Sequence, residues 1–213
     1  MVATAFIAPA QDSSHSFIAG PKLGRARRTT TNFAEELSTG PTRIFDAREH
    51  LFCEGDPATH VYLVEAGHVC IYRMMPDGRR QVIDFAYPGD MIGLGALGEH
   101  AANAQAIVKT WVRCVSIPTL HNVAAKDAKL GLELYEALSQ ELLAARQHLF
   151  TVSQCTASER VAGFLLALSR RNARRGEDPA EIVLPMTRTD IADFLGLTIE
   201  RSAAHSHGSG PTA

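Results

Sequence analysis

The sequence predicts an α+β fold in which an antiparallel β-roll precedes a long helix and a small helix-turn-helix unit. Three observations support this prediction. Short apolar runs broken by turn residues fill residues 41–118, a pattern typical of an antiparallel roll or barrel. Apolar residues then recur at spacings of three and four through residues 119–150, as on one face of a long helix. Residues 151–200 end in a helix, a tight turn and the beginning of another helix.

The two ends of the chain differ in composition from these three regions. Residues 1–40 are rich in Ala, Ser, Thr and Gly, and residues 201–213 contain no large apolar residue, so we expect both to be disordered. No apolar run approaches the roughly 18 residues needed to span a membrane, and the N-terminus lacks the pattern of a secretory signal. We therefore expect a cytoplasmic protein with no membrane partner.

Turn residues divide the predicted roll into strands. Asp77-Gly78 is a hairpin signal, and Pro118 ends the strand pattern. The predicted strands include Val61–Val64, Val69–Tyr72, Gln81–Phe85, Ala106–Val108 and Val112–Ile117.

The long helix carries a stripe of leucines. Its main positions are Leu130, Leu134, Leu138 and Leu142. A helix of about 30 residues is about 45 Å long, which is more than a small roll needs to cover itself. We predict that the stripe forms a coiled-coil homodimer seam; intramolecular packing alone is the alternative.

The last predicted helix has clear boundaries. Thr187 is a suitable N-cap with Asp190 three residues later, Gly196 closes the helix, and Thr198 can cap the next one. In a helix-turn-helix unit the second helix lies in the major groove of DNA. Since the formal net charge is -2, double-stranded DNA would need a local basic surface on this chain. The run of arginines in residues 170–175 is either a solvated helix end or such a surface.

Several short motifs, taken in order, resemble the Crp/Fnr family of bacterial transcription regulators over about residues 44–200. They are Gly55-Asp56, Val64–Val69, Asp77–Gln81, Pro88–Gly93 and Thr187–Ala192. Residues 154–162 look most similar to the FixK group. The resemblance implies a roll like a cyclic nucleotide-binding domain, a dimerisation helix and a winged helix-turn-helix domain. It also implies activation of low-oxygen or nitrogen-fixation genes, with RNA polymerase as a partner.

The family's sensor ligands are not matched here. At the positions where cyclic AMP receptors carry a ribose-binding Glu and a phosphate-binding Arg, this chain has Leu94 and Ala104. An iron-sulfur cluster needs four thiolates, and the chain has no cysteine before Cys53. We expect no cyclic nucleotide, no metal and no cofactor, although haem binding through His60 or His68 stays open.

The resemblance assigns DNA-contacting residues. Thr187 and Arg188 would meet phosphates, and Thr198 and Glu200 would begin the recognition helix, where Glu200 accepts a hydrogen bond from cytosine. The family continues this helix as Glu-x-x-Ser-Arg, whereas residues 200–204 read Glu-Arg-Ser-Ala-Ala. With a suitable choice of codons, one deleted nucleotide converts Glu-Thr-Val-Ser-Arg into this sequence. We therefore expect a truncated or frameshifted, incomplete reading helix and impaired DNA binding.

Two other functions compete with this interpretation. The chain could be a non-DNA-binding dimerisation module or an inactive remnant. It could also be a cupin-like metalloenzyme, but the His205-Ser206-His207 pattern lies in the tail, so we expect no enzyme. Among the four cysteines, Cys155 lies at the predicted junction of the long helix and the helix-turn-helix half, which makes it the best candidate for regulatory oxidation.

Overall fold

A computed structural model describes residues 40–197 and a two-residue strand, β1 (Ala3–Thr4). The predicted C-terminal tail, and the predicted N-terminal arm apart from Gly40 and this strand, lie outside the described residues. The predictions of disorder for both therefore stay predictions.

Eight strands form two four-stranded antiparallel sheets, and this confirms the predicted roll. Their orders are β2-β9-β4-β7 and β3-β8-β5-β6. The strands are β2 (Thr42–Phe45), β3 (His50–Phe52), β4 (His60–Ala66), β5 (Val69–Met74), β6 (Arg80–Ala86), β7 (Met91–Ile92), β8 (Asn103–Ala106) and β9 (Thr110–Ser116). One further strand, β10 (Glu181–Ile182), pairs with β1.

The turn between β4 and β5 explains one difference from prediction. Gly67 has a φ of +87°, and a Cβ at this position would lie 2.4 Å from Thr110 Oγ1. The β8–β9 connection therefore passes directly against this turn, and Ile107 N donates to His68 O at 2.8 Å. The predicted strand Ala106–Val108 was too late in the chain, because Ile107 and Val108 belong to this connection and β8 ends at Ala106.

The core of the roll is made of alternating side chains from both sheets. Phe45, Val64, Val69 and Val112 are each 1% exposed or less. Full burial of such side chains is worth about 1.5–3 kcal/mol each, so this cluster is the main source of stability in the roll.

Within residues 117–197, four helices follow the roll. They are α1 (Ile117–Lys126), α2 (Ala128–Gln154), α3 (Ala157–Arg175) and α4 (Arg188–Phe194). Two helices therefore replace the single helix predicted over residues 119–150. The break is at Asp127, whose amide donates to Val123 O at 3.0 Å while its Oδ1 accepts from Lys129 N at 2.8 Å. This residue closes one helix and caps the next, because a short carboxylate competes well for backbone amides.

The leucine stripe of α2 is divided between two environments. Leu130 is completely buried and packs with Val61, Val115 and Leu120 of the same chain, and Leu134 packs partly against this cluster. Leu130 is therefore not available to a dimer seam, and its assignment there was wrong: periodicity identifies an apolar face but not what covers it. Leu138 and Leu142 are 41% and 52% exposed.

The helix-turn-helix half packs against the roll. Phe85 of β6, Phe164 of α3 and Phe194 of α4 form an aromatic triangle with ring centroids 5.3–6.4 Å apart. Edge and tilted contacts of this kind add to the free energy of simple burial. Within residues 40–197, no helix is both long and apolar enough to cross a membrane.

Candidate nucleic-acid interface

The beginning of α4 has the capping box that the sequence predicts. Thr187 Oγ1 accepts from Asp190 N at 3.1 Å, and Asp190 Oδ2 accepts from the amide and the hydroxyl of Thr187 at 3.1 and 2.7 Å. These reciprocal bonds satisfy amides that would otherwise lack partners at a helix start. The local sequence therefore determines where α4 begins.

The side chains at this helix start divide into an outer and an inner set. Thr187, Arg188 and Thr189 are exposed, whereas Asp190 is buried. The side chain of Arg188 is open to solvent. The hydroxyl hydrogen of Thr187 is already directed at Asp190, so a phosphate bond from this hydroxyl would replace an existing one.

The turn after α4 is built around Gly196. This glycine has a φ of +61°, and Leu197 N donates to Ala192 O at 2.8 Å. The pair of features is typical of a helix closed by a left-handed residue. Gly196 therefore ends α4 as predicted. Thr198 and Glu200 lie outside the described residues.

Arg160 of α3 connects this turn to the end of α2. Its Nη1 donates to Leu195 O at 3.0 Å and to Gly196 O at 3.2 Å, and its Nε donates to Cys155 O at 2.9 Å. This role of Arg160 is not predictable from the sequence, since a helix-surface arginine gives no sign of which distant carbonyls it will meet.

The inner side of α4 contacts strand β6. Arg80 Nη1 forms an ion pair with Asp190 Oδ1, and Gln81 Nε2 donates to Asp193 O at 2.6 Å. These bonds hold α4 against the roll and leave Arg188 exposed to solvent. The start of α4 therefore faces solvent, while its opposite side is fixed to β6.

Two family models match the chain. The model for the cyclic nucleotide-binding domain matches residues 42–127, and the model for the Crp-like helix-turn-helix domain matches residues 159–203. The first covers the roll and α1, and the second covers α3, α4 and the turn.

Individual relatives agree with these matches. The nitrogen fixation regulation protein FixK of Bradyrhizobium diazoefficiens is 36% identical over 156 residues, which are 73% of this chain and 66% of the relative. The fumarate and nitrate reduction regulatory protein of Escherichia coli is 34% identical over 152 residues, 70% of this chain and 61% of the relative. The chain thus spans just under two thirds of the length of these curated relatives.

A solved structure extends the likeness to three dimensions. FixK2 of Bradyrhizobium japonicum is 38% identical and superposes with a TM-score of 0.69, covering 75% of this chain and 78% of that chain. The chain belongs to the Crp/Fnr family. Within the Crp/Fnr family, FixK proteins are among its relatives, as the sequence motifs predicted.

In this Crp/Fnr chain the two residues that the resemblance places at the sensor-ligand positions are apolar. Ala104 is completely buried in the core of the roll. Leu94 is half-buried and packs with the cluster around Leu130. A cavity of about 1170 Å³ lies between the roll, α2 and the helix-turn-helix half; Leu94 lines it, but Ala104 does not.

The four thiols differ in burial. Cys70 and Cys114 are 2% and 5% exposed, and burial raises the pKa of Cys70 to about 12 and raises that of Cys114. Cys155, at the end of α2, and Cys53, after β3, are half-buried. The predicted redox residue is therefore one of two accessible thiols, and its oxidation stays a prediction.

Proposed function

We propose that this chain is a DNA-binding transcription regulator of the FixK-like group and not an enzyme. The observation that carries the proposal is the exposed Arg188 at the start of a capped helix, within the Crp-like helix-turn-helix match. An exposed guanidinium is well suited to phosphate oxygens. The alternative of a dimerisation module without DNA binding has no observation that favours it.

The regulated genes are inferred from relatives. The names of two relatives refer to nitrogen fixation and to fumarate and nitrate reduction. By analogy with these relatives, this chain would control nitrogen-fixation or low-oxygen genes. It would act in the cytoplasm, with RNA polymerase as its partner at the promoter.

The active form is a homodimer. Leu138 and Leu142 are large apolar side chains on one face of α2 and are half exposed in the single chain. A second copy placed along this face covers them by coiled-coil packing, and two copies match the two half-sites that helix-turn-helix dimers read.

The sensor pocket takes no cyclic nucleotide. Leu94 and Ala104 supply neither the carboxylate nor the guanidinium that such a ligand needs, and an unpaired buried phosphate is costly. Calorimetry with cyclic AMP or cyclic GMP at sub-millimolar ligand should give no heat of binding. Micromolar binding of either nucleotide would contradict this part of the proposal.

The DNA test compares two arginines that carry the same charge. Arg188→Ala should weaken binding of a labelled duplex at low salt and reduce the slope of log affinity against log salt by about 1 per subunit. Arg43→Ala, on the edge strand β2 of the roll, is the control and should keep the parent slope. Equal slopes for all three proteins would remove Arg188 from the interface, and no binding by the parent would refute the function.

Sequence selectivity is a separate measurement. Residues 200–204 lack the family's guanine-reading Arg at its usual spacing, and a good base contact is worth about 1–3 kcal/mol of discrimination. We expect the 213-residue chain to prefer a FixK-type palindrome over scrambled DNA by less than about tenfold at physiological salt. A larger preference would show that residues 201–213 read DNA in another way.

A further inference from the structure

Two arginine–aspartate pairs cross the contact between the roll and the helix-turn-helix half in opposite directions. Arg80 of β6 reaches Asp190 of α4. Arg171 of α3 reaches back to Asp90, in the turn before β7, with Nη2 2.9 Å from Oδ2. Each half therefore supplies one arginine and one aspartate to the other.

Each guanidinium also packs on a tyrosine of the roll. Arg80 lies over the ring of Tyr72, 4.1 Å from its centroid, and Arg171 lies over Tyr87 at 4.3 Å. The Arg171 residue is 6% exposed. A planar guanidinium that is stacked on one side chain and hydrogen-bonded to another has little freedom to rotate.

The two tyrosines, Tyr72 and Tyr87, belong to the same buried cluster as the aromatic triangle of Phe85, Phe164 and Phe194. Apolar packing of this kind holds surfaces together but is not directional. Ion pairs and cation–π contacts have fixed partners, so they select one relative orientation of the two halves.

The Arg80 pair acts on the residue that also caps α4. Asp190 accepts from Arg80 through Oδ1 and from Thr187 through Oδ2. One carboxylate thus joins the roll to the end of α4 that carries Arg188.

We propose that Arg80 and Arg171 are positioning residues that fix the orientation of α4 on the roll, so that its exposed start faces DNA. The proposal rests on the DNA-binding function proposed above. The roll then serves as a rigid platform for the DNA-reading half rather than as a separate sensor joined by a loose linker.

The experiment uses two matched pairs of variants in the full chain. Arg80→Met is compared with Arg79→Met, its neighbour on the same hairpin, which pairs only locally with Asp77 at 2.7 Å and is largely exposed. Arg171→Met is compared with Arg170→Met, an exposed neighbour on α3. Within each pair the charge change is identical, so a general electrostatic effect on DNA cancels.

Hydrogen exchange of the α4 amides reports the docking without DNA. Arg80→Met should speed exchange in Arg188–Phe194 by about tenfold or more relative to Arg79→Met, since loss of one partner leaves Asp190 buried and unpaired. Exchange in β4 and β9 should stay at the parent rate. The Arg171 pair gives the same comparison if Arg80→Met fails to fold.

Binding of a labelled duplex at low salt then tests positioning. Arg80→Met should bind about tenfold more weakly than Arg79→Met. If α4 is free to reorient, the α4 helices of both subunits seldom face the same duplex at once. Equal exchange within both pairs would overturn the proposal, as would faster exchange with unchanged or tighter DNA binding. A parent chain that binds no DNA would refute the proposed function, and with it the positioning role, whereas the exchange comparison would still decide whether the arginines fix the docking.

Discussion

The roll makes two contacts with the helices that follow it, and these contacts differ in chemistry. The contact with α1 and the start of α2 is built on a cluster of buried apolar side chains, Val61, Val115, Leu120 and Leu130. The contact with the helix-turn-helix half combines an aromatic triangle with the Arg80–Asp190 and Arg171–Asp90 ion pairs.

The two contacts therefore have different effects: the first stabilises the fold, and the second determines how the helix-turn-helix half is oriented. An apolar contact stabilises in proportion to the area it buries and does not respond to pH. The second contact contains arginines, aspartates and the half-buried His68, whose ring meets that of Tyr87 edge-on, so it depends on protonation and favours one geometry. We expect the first contact to behave as part of the core of the roll, and the second to determine where the DNA-reading half points.

Leu130→Ala should have the largest effect on the stability of the chain. Leu130 is fully buried, and removing a buried leucine side chain typically costs about 2–5 kcal/mol of unfolding free energy. Leu132→Ala, at a position that is 58% exposed on the same helix, should change it by less than about 0.5 kcal/mol. Denaturant unfolding measures both, and similar losses would mean that the apolar contact is not the stronger one.

Leu138→Glu tests whether the exposed part of the leucine stripe forms the dimer contact. Because Leu138 is 41% exposed, the fold of the single chain should be retained. Loss of this side chain from both copies should weaken the dimer roughly a thousandfold, giving monomers at micromolar concentration. Sedimentation velocity measures this, with Leu97→Glu on a fully exposed loop of the roll as the control. A parent chain already monomeric at that concentration would refute the seam.

His68→Gln should change the pH dependence of stability through the second contact. Burial, together with Arg171 and Arg175, lowers the pKa of His68 to about 4 from its ordinary 6.5. Between these values the unfolded chain binds the proton and the folded chain does not, so stability is lost as pH falls from about 6.5 toward 4.

The size of this effect is about 1–3 kcal/mol over that window. His68→Gln should therefore lose about 1–3 kcal/mol less unfolding free energy than the parent chain between pH 6.5 and pH 4. His121→Gln, at an exposed position on α1, is the matched control for the substitution itself. Parallel curves for His68→Gln and the parent would show that His68 is hydrated in the folded chain.

Thiol labelling gives the smallest perturbation and a direct test of how closed the second contact is. Cys70 lies inside it, 3.0 Å from Arg80 Nη2, and burial raises its pKa to about 12, so the reactive thiolate is scarce at pH 8. Mass spectrometry after peroxide should therefore find Cys155 modified before Cys70 and Cys114. Equal rates would indicate that the second contact opens readily and would remove the case for Cys155 as a sensor.

The features predicted correctly from sequence are local ones. The hairpin at Asp77-Gly78, the cap at Thr187 and the closure at Gly196 each depend on residues within a few positions of one another. Their order along the chain also identified the family. The break at Asp127 is local as well, but a residue that can cap a helix can also lie within one, so the sequence left it undecided.

The features missed are long-range. Arg80 and Asp190 are 110 residues apart, and Arg171 and Asp90 are 81 apart. In sequence Arg171 is one of several arginines in residues 170–175, and only the packing of α3 on the roll distinguishes it from its exposed neighbours. Leu130 was misassigned for the same reason, because the stripe continues unchanged from a covered position to an uncovered one.

Helix α2 is attached to the rest of the chain near both of its ends. Leu130 anchors it in the roll, and 18 residues later His148 stacks on Phe194 at 4.3 Å. Its 27 residues span about 40 Å, and Leu138 and Leu142 lie near the middle of that span. A second copy that packs on these leucines contacts α2 between its two attachment points. Such packing would therefore influence the roll and the DNA-reading half at the same time.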